Sequence, residues 1–414
     1  MTNIIDDELF DINTVCTIRG HTCVKFGCGA INTFKEDFAK LQKGYKITTV
    51  GVITGKSSYK SCGAWDVVKP ALDELNIKVL LYDKVKTNPS KKMVNEALEL
   101  FREDKPQYLI SIGGGSPTDT AKVISVLLEF PKKTMEDFYN GEFSPLAEER
   151  VPLFVINTTA GTGTEIDQFA VVSDLEFNPP MKPIFVTEAI YPTHAINDPN
   201  LLLSIPKGLT LYTGVDALNH AMEACSTVTR SPFSYDLAIR VSHLVHKYLP
   251  IALKEPENKT ARYWLHYAAC IAGISFDNGL LHMTHSLEHS LAAFDPKIPH
   301  GLGLAVLQPS VLKRTYAALP KIMAKFLLPF DQTLEGKPEE AEKAACILEK
   351  WLMSIGITEK IKDLGFTEKD IPKLVESVYK TPPMSTLLSI APFPIDKDVV
   401  AEVYKEAMTP LSKK

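Results

Sequence analysis

Histidine is concentrated in the second half of the chain, where four of the ten residues of this type lie between positions 282 and 300. His285 and His289 are one helical turn apart, so on a helix both imidazoles project from the same face. Asp216 and His220 have the same spacing, and His300 follows between a proline and a glycine. Each of these residues alone is as well explained by packing. Together, a carboxylate and several imidazoles without a thiolate indicate a catalytic divalent ion such as iron, zinc or manganese.

Such a ligand set has a chemical consequence. One carboxylate and three imidazoles leave a coordination position open if the ion accepts a further ligand, which suits Lewis-acid catalysis on a substrate oxygen. His282 precedes His285 by three residues and lies outside this spacing. We interpret His282 as a packing or pocket-lining residue.

A glycine-rich segment, Ile112–Asp119 (IGGGSPTD), follows a predicted strand and opens a predicted helix. Its backbone N–H groups and the helix dipole face any anion above them, so the segment is a candidate phosphate-binding loop. A tight structural turn would use glycines as well. The spacing is not G-x-G-x-x-G, which excludes an ordinary Rossmann fingerprint. A second polar turn, Asn157–Glu165 (NTTAGTGTE), offers hydroxyls to a cofactor, although a helix cap explains it equally well.

The first half of the chain alternates apolar β-branched runs with amphipathic stretches, a pattern typical of a parallel sheet covered by helices. Ligands of such sheets bind beyond the carboxyl ends of the strands, where both polar turns lie. We predict strands over Lys46–Thr54, Ile77–Tyr82, Tyr108–Ile112 and Leu153–Asn157, and helices over Ala64–Leu75, Lys91–Phe101 and Pro117–Glu129.

From about Ser204 onward helical periodicity replaces the β-branched runs. We predict helices over Leu209–Ser226, Ser234–Leu249 and Thr260–Ala272, with the domain junction in Asn197–Lys207. The predicted organisation is an α/β nucleotide-binding domain with a Rossmann-like parallel sheet over residues 1–203, and an all-α metal-binding domain over residues 204–414.

Length and composition limit the partners. A chain of 414 residues exceeds what one core usually supports, and a formal charge of −5 lacks the basic footprint of a nucleic-acid binder. The apolar runs are too short for a membrane span. Seven scattered cysteines indicate neither a disulfide framework nor a structural zinc site, and the acidic segment Met1–Glu8 does not resemble a secretory signal. We expect a cytoplasmic protein that acts on a small molecule.

Four motifs carry a resemblance to a known family over nearly the whole chain. The sequence resembles the iron-dependent, or group III, alcohol dehydrogenases, which have a nucleotide-binding domain, a helical domain and an active site between them. The resemblance also implies a homodimer or a larger homo-oligomer. The motifs are GGGSPTDTAK at Gly113–Lys122, NTTAGTGTE at Asn157–Glu165, GVDALNHAMEA at Gly214–Ala224, and Leu281–Gly301, in which H-x3-H is followed by PHG.

The resemblance implies roles for individual residues. The implied metal ligands are Asp216, His220, His285 and His300, binding Fe²⁺ or Zn²⁺, and the implied proton relay is His289. Cofactor contacts are implied for the glycine-rich loop, the polar turn, a loop asparagine near the nicotinamide and a lysine at the ribose. These residues are Gly113, Gly114, Gly115, Ser116, Asp119, Thr158, Thr159, Thr162, Asn88 and Lys182.

The turn after the first predicted strand bears on cofactor preference. NAD-preferring relatives often carry an acidic residue where this chain has Gly55, and that residue repels a 2′-phosphate. Here Lys56, Ser57 and Ser58 offer a cation and hydroxyls instead. We therefore favour NADP(H) over NAD(H).

The implied activity is reversible hydride transfer between a nicotinamide and a short-chain primary alcohol or aldehyde. Asp167, Phe169 and Lys297 depart from the pattern of common relatives and, with His289, are the expected substrate pocket. The positive charge of Lys297 keeps an anionic substrate open as an alternative, such as a carboxylated or sulfonated aldehyde. Two other functions stay open, a lyase similar to dehydroquinate synthase and a non-catalytic nucleotide-binding protein.

Overall fold

A six-stranded parallel sheet organises the first half of the chain in the computed structural model, which describes residues 9–11 and 14–411. The order across the sheet is β1-β8-β5-β4-β2-β3, and β6 and β7 form a separate antiparallel pair. The strands are β1 (Cys23–Phe26), β2 (Thr49–Gly55), β3 (Lys78–Val85), β4 (Tyr108–Gly113), β5 (Leu153–Asn157), β6 (Phe169–Val171), β7 (Ile184–Val186) and β8 (His194–Asn197).

Helices cover this sheet and make up the second half. Every residue of β4 and β5 is buried, as expected for strands with helices on both faces. The helices of the first half are α1 (Phe34–Tyr45), α2 (Ser58–Ser61), α3 (Ala64–Glu74), α4 (Lys91–Glu103), α5 (Gly115–Leu127) and α6 (Met135–Tyr139). Those of the second half are α7 (Lys207–Ala224), α8 (Pro232–Lys254), α9 (Lys259–Gly279), α10 (Met283–Phe294), α11 (His300–Ala318), α12 (Pro320–Phe326), α13 (Ala341–Ser354), α14 (Ile371–Lys380), α15 (Met384–Ser389) and α16 (Lys397–Glu406).

The predicted fold class, a Rossmann-like parallel sheet followed by an all-helical region, is confirmed. Four strands were not predicted, because β1, β6, β7 and β8 are only three or four residues long, too short to show a periodic pattern. The sheet ends at Asn197 and α7 begins at Lys207. The division at residues 203 and 204 lies between these elements and stays a prediction.

One hydrophobic cluster continues from the sheet into the helical half. It joins Ile112 of β4 to Val215 and Leu218 of α7 through Leu202 and Ile205 of the connection. This shared packing fixes the position of α7 relative to the carboxyl end of β4. No helix in residues 9–11 and 14–411 is long and apolar enough to cross a membrane. The segment Met1–Glu8, on which the expectation about secretion rests, lies outside the described residues.

Candidate active site

Two adjoining cavities lie between the carboxyl ends of the strands and the helical half. The first, here called the apolar cavity, has hydrophobic walls and reaches the predicted metal ligands. The second, here called the loop cavity, lies over the glycine-rich segment and the end of β2. The apolar walls of the first are Phe169, Val171, Ile184, Phe276, Leu280, Leu281 and Leu387. The two cavities share Asn88, Gly115, Ser116, Thr162, Asp216 and His300.

Three helices bring the four predicted metal ligands to the apolar cavity. Asp216 and His220 lie one turn apart on α7, His285 is on α10, and His300 is the first residue of α11. The Nε2 atoms of His220, His300 and His285 lie 3.5, 3.6 and 3.8 Å from Oδ1 of Asp216. Ligand atoms of Asp216, His220 and His285 all lie within 4.8 Å of one another, and His300 Nε2 joins them through its short distance to the same Asp216 oxygen.

The spacing of these four atoms fits a metal ion. Bonds of about 2.1 Å in a tetrahedral arrangement place neighbouring ligand atoms about 3.4 Å apart, close to the three separations from Asp216 Oδ1. Asp216 Oδ1 and His285 Nε2 are buried and form no hydrogen bond. Buried polar atoms without a partner are costly, and a shared cation would satisfy both. The donors are nitrogen and oxygen, as expected for a catalytic iron or zinc site.

Two further carboxylates contact the Nδ1 atoms of two of these imidazoles and thereby fix the orientation of the rings. Glu223 Oε2 accepts a hydrogen bond from His285 Nδ1 at 2.5 Å, and Glu288 Oε2 lies 2.5 Å from His300 Nδ1. Both side chains are fully buried. A carboxylate on Nδ1 leaves Nε2 with its lone pair toward the metal and makes it a stronger donor ligand.

The electrostatics of the group favour a cation. Burial raises the pKa of Asp216, but His220, His300 and His285 outweigh it and lower that pKa below its ordinary range. Burial lowers the pKa of His285, but Glu223 and Asp216 outweigh it and raise that pKa to about 9. Burial lowers the pKa of His220 to about 4. The carboxylates are therefore ionised and concentrate negative charge where the imidazoles meet.

His289, the predicted proton relay, also lines the apolar cavity. Its Nδ1 donates to the backbone carbonyl of Lys182 at 2.9 Å, so Nε2 carries the free lone pair. Burial, reinforced by Lys182, holds the pKa of His289 well below its ordinary value. The ring is therefore neutral, with the Nε2 lone pair unprotonated.

The glycine-rich loop and the polar turn pack directly against each other. A Cβ on Gly114 would lie 2.6 Å from the side chain of Thr159, and one on Gly115 would lie 2.7 Å from that of Thr162. Only glycine permits this approach. The two loops thus form one surface, and Gly114, Gly115, Ser116, Thr158, Thr159 and Thr162 all line the loop cavity.

Asn88 connects the first half of the chain to the segment before His300 by hydrogen bonds. Its backbone is left-handed, with φ of 52°, and its Nδ2 donates to the carbonyls of Pro296 at 2.9 Å and Ile298 at 3.3 Å. Asn88 lines both cavities, so its placement agrees with a position near the point where cofactor and substrate would meet.

At the end of β2, Gly55, Ser57 and Ser58 line the loop cavity. Lys56, predicted to meet a cofactor phosphate, is exposed and is not among the lining residues, whereas Lys86 is. Gly113 ends β4 with φ of 157° and does not line either cavity. The hydroxyls and the glycine are therefore placed as expected, and the cation at this cavity is a different lysine.

Asp119 and Lys182 line the apolar cavity rather than the loop cavity. Asp119 accepts hydrogen bonds from Thr164 Oγ1 at 2.7 Å and from the backbone of Val171 at 3.0 Å, so its carboxylate holds structure together. The Nζ of Lys182 lies 3.3 Å from Glu288 Oε2. The predicted contacts of these two residues with the cofactor stay predictions.

The expected substrate-pocket residues have three different placements. Phe169 lines the apolar cavity and packs on Phe276 with ring centroids 5.7 Å apart. Asp167 lines it too, but its Oδ1 is 2.6 Å from the buried Nζ of Lys122. Burial raises the pKa of Asp167 to about 8 in spite of Lys122. Lys297 does not support the expectation of a pocket residue, because its side chain is exposed in the turn before α11 and lines neither cavity.

Sequence reasoning missed Glu223, Glu288 and the Lys122–Asp167 pair. Glu223 follows Asp216 and His220 at i+7 and i+3, so the helical face that identified those two residues also contained the third. Glu288 follows His285 by three residues in the same way. His282 is a packing residue, since it is fully buried, its Nε2 is 2.9 Å from Ser226 Oγ, and it does not line the apolar cavity.

Comparisons with known proteins agree with this architecture. Residues 22–199 match the family described as iron-containing alcohol dehydrogenase, and residues 210–408 match the C-terminal part of the Fe-containing alcohol dehydrogenase family. The long-chain primary alcohol dehydrogenase AdhA of Thermoanaerobacter ethanolicus is 45% identical, covering 95% of this chain and 98% of that protein.

Two further relatives have different cofactors in their names. The NADPH-dependent butanol dehydrogenase of Clostridium saccharobutylicum is 30% identical, over 92% of this chain and 95% of that protein. The solved structure of NADH-dependent butanol dehydrogenase A from Thermotoga maritima has a TM-score of 0.84 and 27% identity, with 95% of this chain and 98% of that chain covered. The chain belongs to the iron-containing alcohol dehydrogenase family and is an oxidoreductase.

Proposed function

We propose that the protein interconverts unbranched primary alcohols and their aldehydes, with NADP(H) in the loop cavity and Fe²⁺ or Zn²⁺ held by Asp216, His220, His285 and His300. The convergence of four ligand atoms between the two cavities carries this proposal. A bound ion supplies a Lewis acid at the substrate oxygen. The chain itself supplies the position, the proton and the exclusion of water.

His289 holds the proton in this scheme. Its Nδ1–H is committed to the carbonyl of Lys182, so only Nε2 is free to exchange a proton with an alcohol or a ribose hydroxyl. The neutral ring accepts the proton in oxidation and returns it in reduction. The phenyl rings of Phe169 and Phe276 exclude water from the same cavity.

An aliphatic substrate suits the apolar cavity, because its walls are mainly Leu, Ile, Val and Phe side chains. Among the described residues, Lys182 is the only Lys or Arg that lines it, and its Nζ is paired with Glu288. An anionic aldehyde or the phosphorylated substrate of a lyase would need a cation there, and Lys297 is exposed outside it. The cavity therefore favours a neutral aldehyde.

The preference for NADP(H) rests on the end of β2. Gly55 presents no carboxylate to a 2′-phosphate, and Ser57, Ser58 and Lys86 surround the same part of the loop cavity. Hydroxyls and an ammonium group are suitable partners for a phosphate. Relatives named for each cofactor exist, so we base the preference on these residues.

The test is anaerobic reduction of an aldehyde series from acetaldehyde to octanal by Fe²⁺- or Zn²⁺-reconstituted protein, with NADPH and NADH compared. We expect faster turnover with NADPH and no turnover by the apoprotein. His285→Gln should lose bound metal and turnover together, whereas His246→Gln, on a half-buried residue packed on Phe330 and Trp351, should retain both. Turnover by a metal-free His285→Gln protein would overturn the assignment.

A further inference from the structure

Glu288 connects a predicted metal ligand to a predicted cofactor residue through one oxygen atom. Its Oε2 lies 2.5 Å from His300 Nδ1 and 3.3 Å from the Nζ of Lys182, and that Nζ also lies 3.5 Å from His300 Nδ1. We propose that Glu288 is a positioning residue that couples metal binding at His300 to cofactor binding at Lys182. This inference rests on the proposed function and adds a linkage between its two ligands.

The surroundings of Glu288 are built to hold a carboxylate in this place. The side chain is fully buried, and its second oxygen, Oε1, forms no hydrogen bond. A Cβ on Gly303 of α11 would lie 2.8 Å from Cγ and 3.1 Å from Oε1 of Glu288. The glycine leaves room for the carboxylate between α10 and α11. A buried charge is tolerated only with partners, and here those partners are His300 and Lys182.

Glu223 offers a contrast within the same site. It has the same 2.5 Å bond to the Nδ1 of a metal ligand, His285. Its other hydrogen bonds come from backbone N–H groups, those of Thr284 at 2.5 Å and His285 at 3.4 Å. The ion pairs of Glu223 in the described part of the chain are with histidines, not with a lysine. Glu223 therefore orients a ligand without reaching the cofactor side.

The coupling follows from competition for one oxygen. When His300 Nε2 binds a cation, its ring loses electron density and Nδ1–H becomes a stronger donor to Glu288. Glu288 Oε2 then holds Lys182 less strongly, and Nζ is free to donate to the end of the cofactor that reaches from the loop cavity into the apolar cavity. The backbone carbonyl of Lys182 also accepts the hydrogen bond from His289 Nδ1. A movement of Lys182 would therefore take place directly beside the predicted proton relay. Metal and NADPH should each strengthen the binding of the other by the same factor.

The experiment measures that factor directly in the full-length protein. NADPH affinity is titrated by its fluorescence with Zn²⁺-loaded and metal-free protein, and Zn²⁺ affinity is measured by chelator competition. We expect Zn²⁺ to tighten NADPH binding about 5- to 150-fold in the wild-type protein. In Glu288→Gln we expect Zn²⁺ affinity to fall about 10- to 100-fold and the tightening to disappear. In the matched control Glu223→Gln, Zn²⁺ affinity should fall similarly while the tightening persists.

A second variant covers the case in which Glu288→Gln fails to fold. Lys182→Met keeps the apolar stem and the contact between Glu288 and His300, and it should still bind Zn²⁺ but show no tightening of NADPH. The proposal is overturned if Glu288→Gln or Lys182→Met keeps the full tightening, or if Glu223→Gln loses it equally. A wild-type protein that binds Zn²⁺ and reduces aldehydes without any tightening would refute the coupling and leave the proposed function intact. A wild-type protein that binds no Zn²⁺ would refute both.

Discussion

Replacing Gly301 by alanine should separate two of the helices that carry the proposed metal ligands. A Cβ at this position would lie 1.9 Å from the carbonyl oxygen of Tyr212 and 2.6 Å from its carbon, both backbone atoms of α7. Real Cβ atoms stay at least 3.0 Å away, so the start of α11 must move from α7 by about 1.1 Å. His300 precedes Gly301, and Asp216 is one turn beyond Tyr212.

A displacement of that size is large for a metal site. Metal–ligand distances hold within about 0.2 Å, so His300 and Asp216 could no longer share one ion in the same geometry. We expect Zn²⁺ affinity to fall at least about tenfold and the free energy of unfolding to drop by about 1–3 kcal/mol. Chelator competition and thermal unfolding measure the two effects.

Gly208→Ala is the matched control, because a Cβ there would meet only Tyr212 Cε2, at 3.9 Å. The same chemical change on α7 should leave metal affinity unchanged. If Gly301→Ala bound Zn²⁺ as tightly as the wild type and reduced aldehydes at the same rate, the close approach of α7 and α11 would not determine the site. The reasoning from helix separation to ligand geometry would then be refuted.

Three further perturbations address other parts of the molecule. Gly55→Asp should weaken NADPH binding about 10- to 100-fold relative to NADH, because a carboxylate would face the 2′-phosphate. The change fits sterically, since a Cβ at this position would lie 3.4 Å from Val85 O. An unchanged ratio of the KM values for NADPH and NADH would contradict the proposed preference for NADP(H). Phe169→Ala should raise KM for butanal several-fold and favour longer aldehydes, since it removes an apolar wall of the cavity. If KM depended on aldehyde chain length as in the wild type, the substrate would bind elsewhere. Burial lowers the pKa of His266 to about 3, so the unfolded chain takes up this proton below pH 6.5 while the folded chain does not. Each pH unit below that value should cost up to about 1.4 kcal/mol, and His266→Gln should reduce the acid sensitivity seen in urea unfolding.

The sequence was informative where spacing alone determines geometry. Asp216 and His220 share a helical face, and β-branched runs marked β4 and β5, so both the first ligand pair and the strands beneath the cofactor loops were predicted. Gly114 and Gly115 follow β4 directly, which indicated the loop that lines the loop cavity. These features depend on neighbours within a few residues.

Features that depend on distant contacts were not predicted. Lys122 and Asp167 are 45 residues apart, and Lys182 and Glu288 are 106 residues apart, so no local pattern pairs them. Lys297 is near His300 in sequence, but the turn before α11 directs its side chain to the solvent. Tertiary packing decides which charges meet, and periodicity carries no information about it.

The wall that the apolar cavity and the loop cavity have in common has a kinetic consequence. Gly115, Ser116 and Thr162 face both spaces, so a cofactor bound in the loop cavity completes one side of the apolar cavity. An aldehyde that enters first finds that side open and gains little buried area. We therefore expect ordered binding, with the nicotinamide entering first and leaving last. Excess alcohol should trap the reduced cofactor before it departs, and product release would limit the turnover rate.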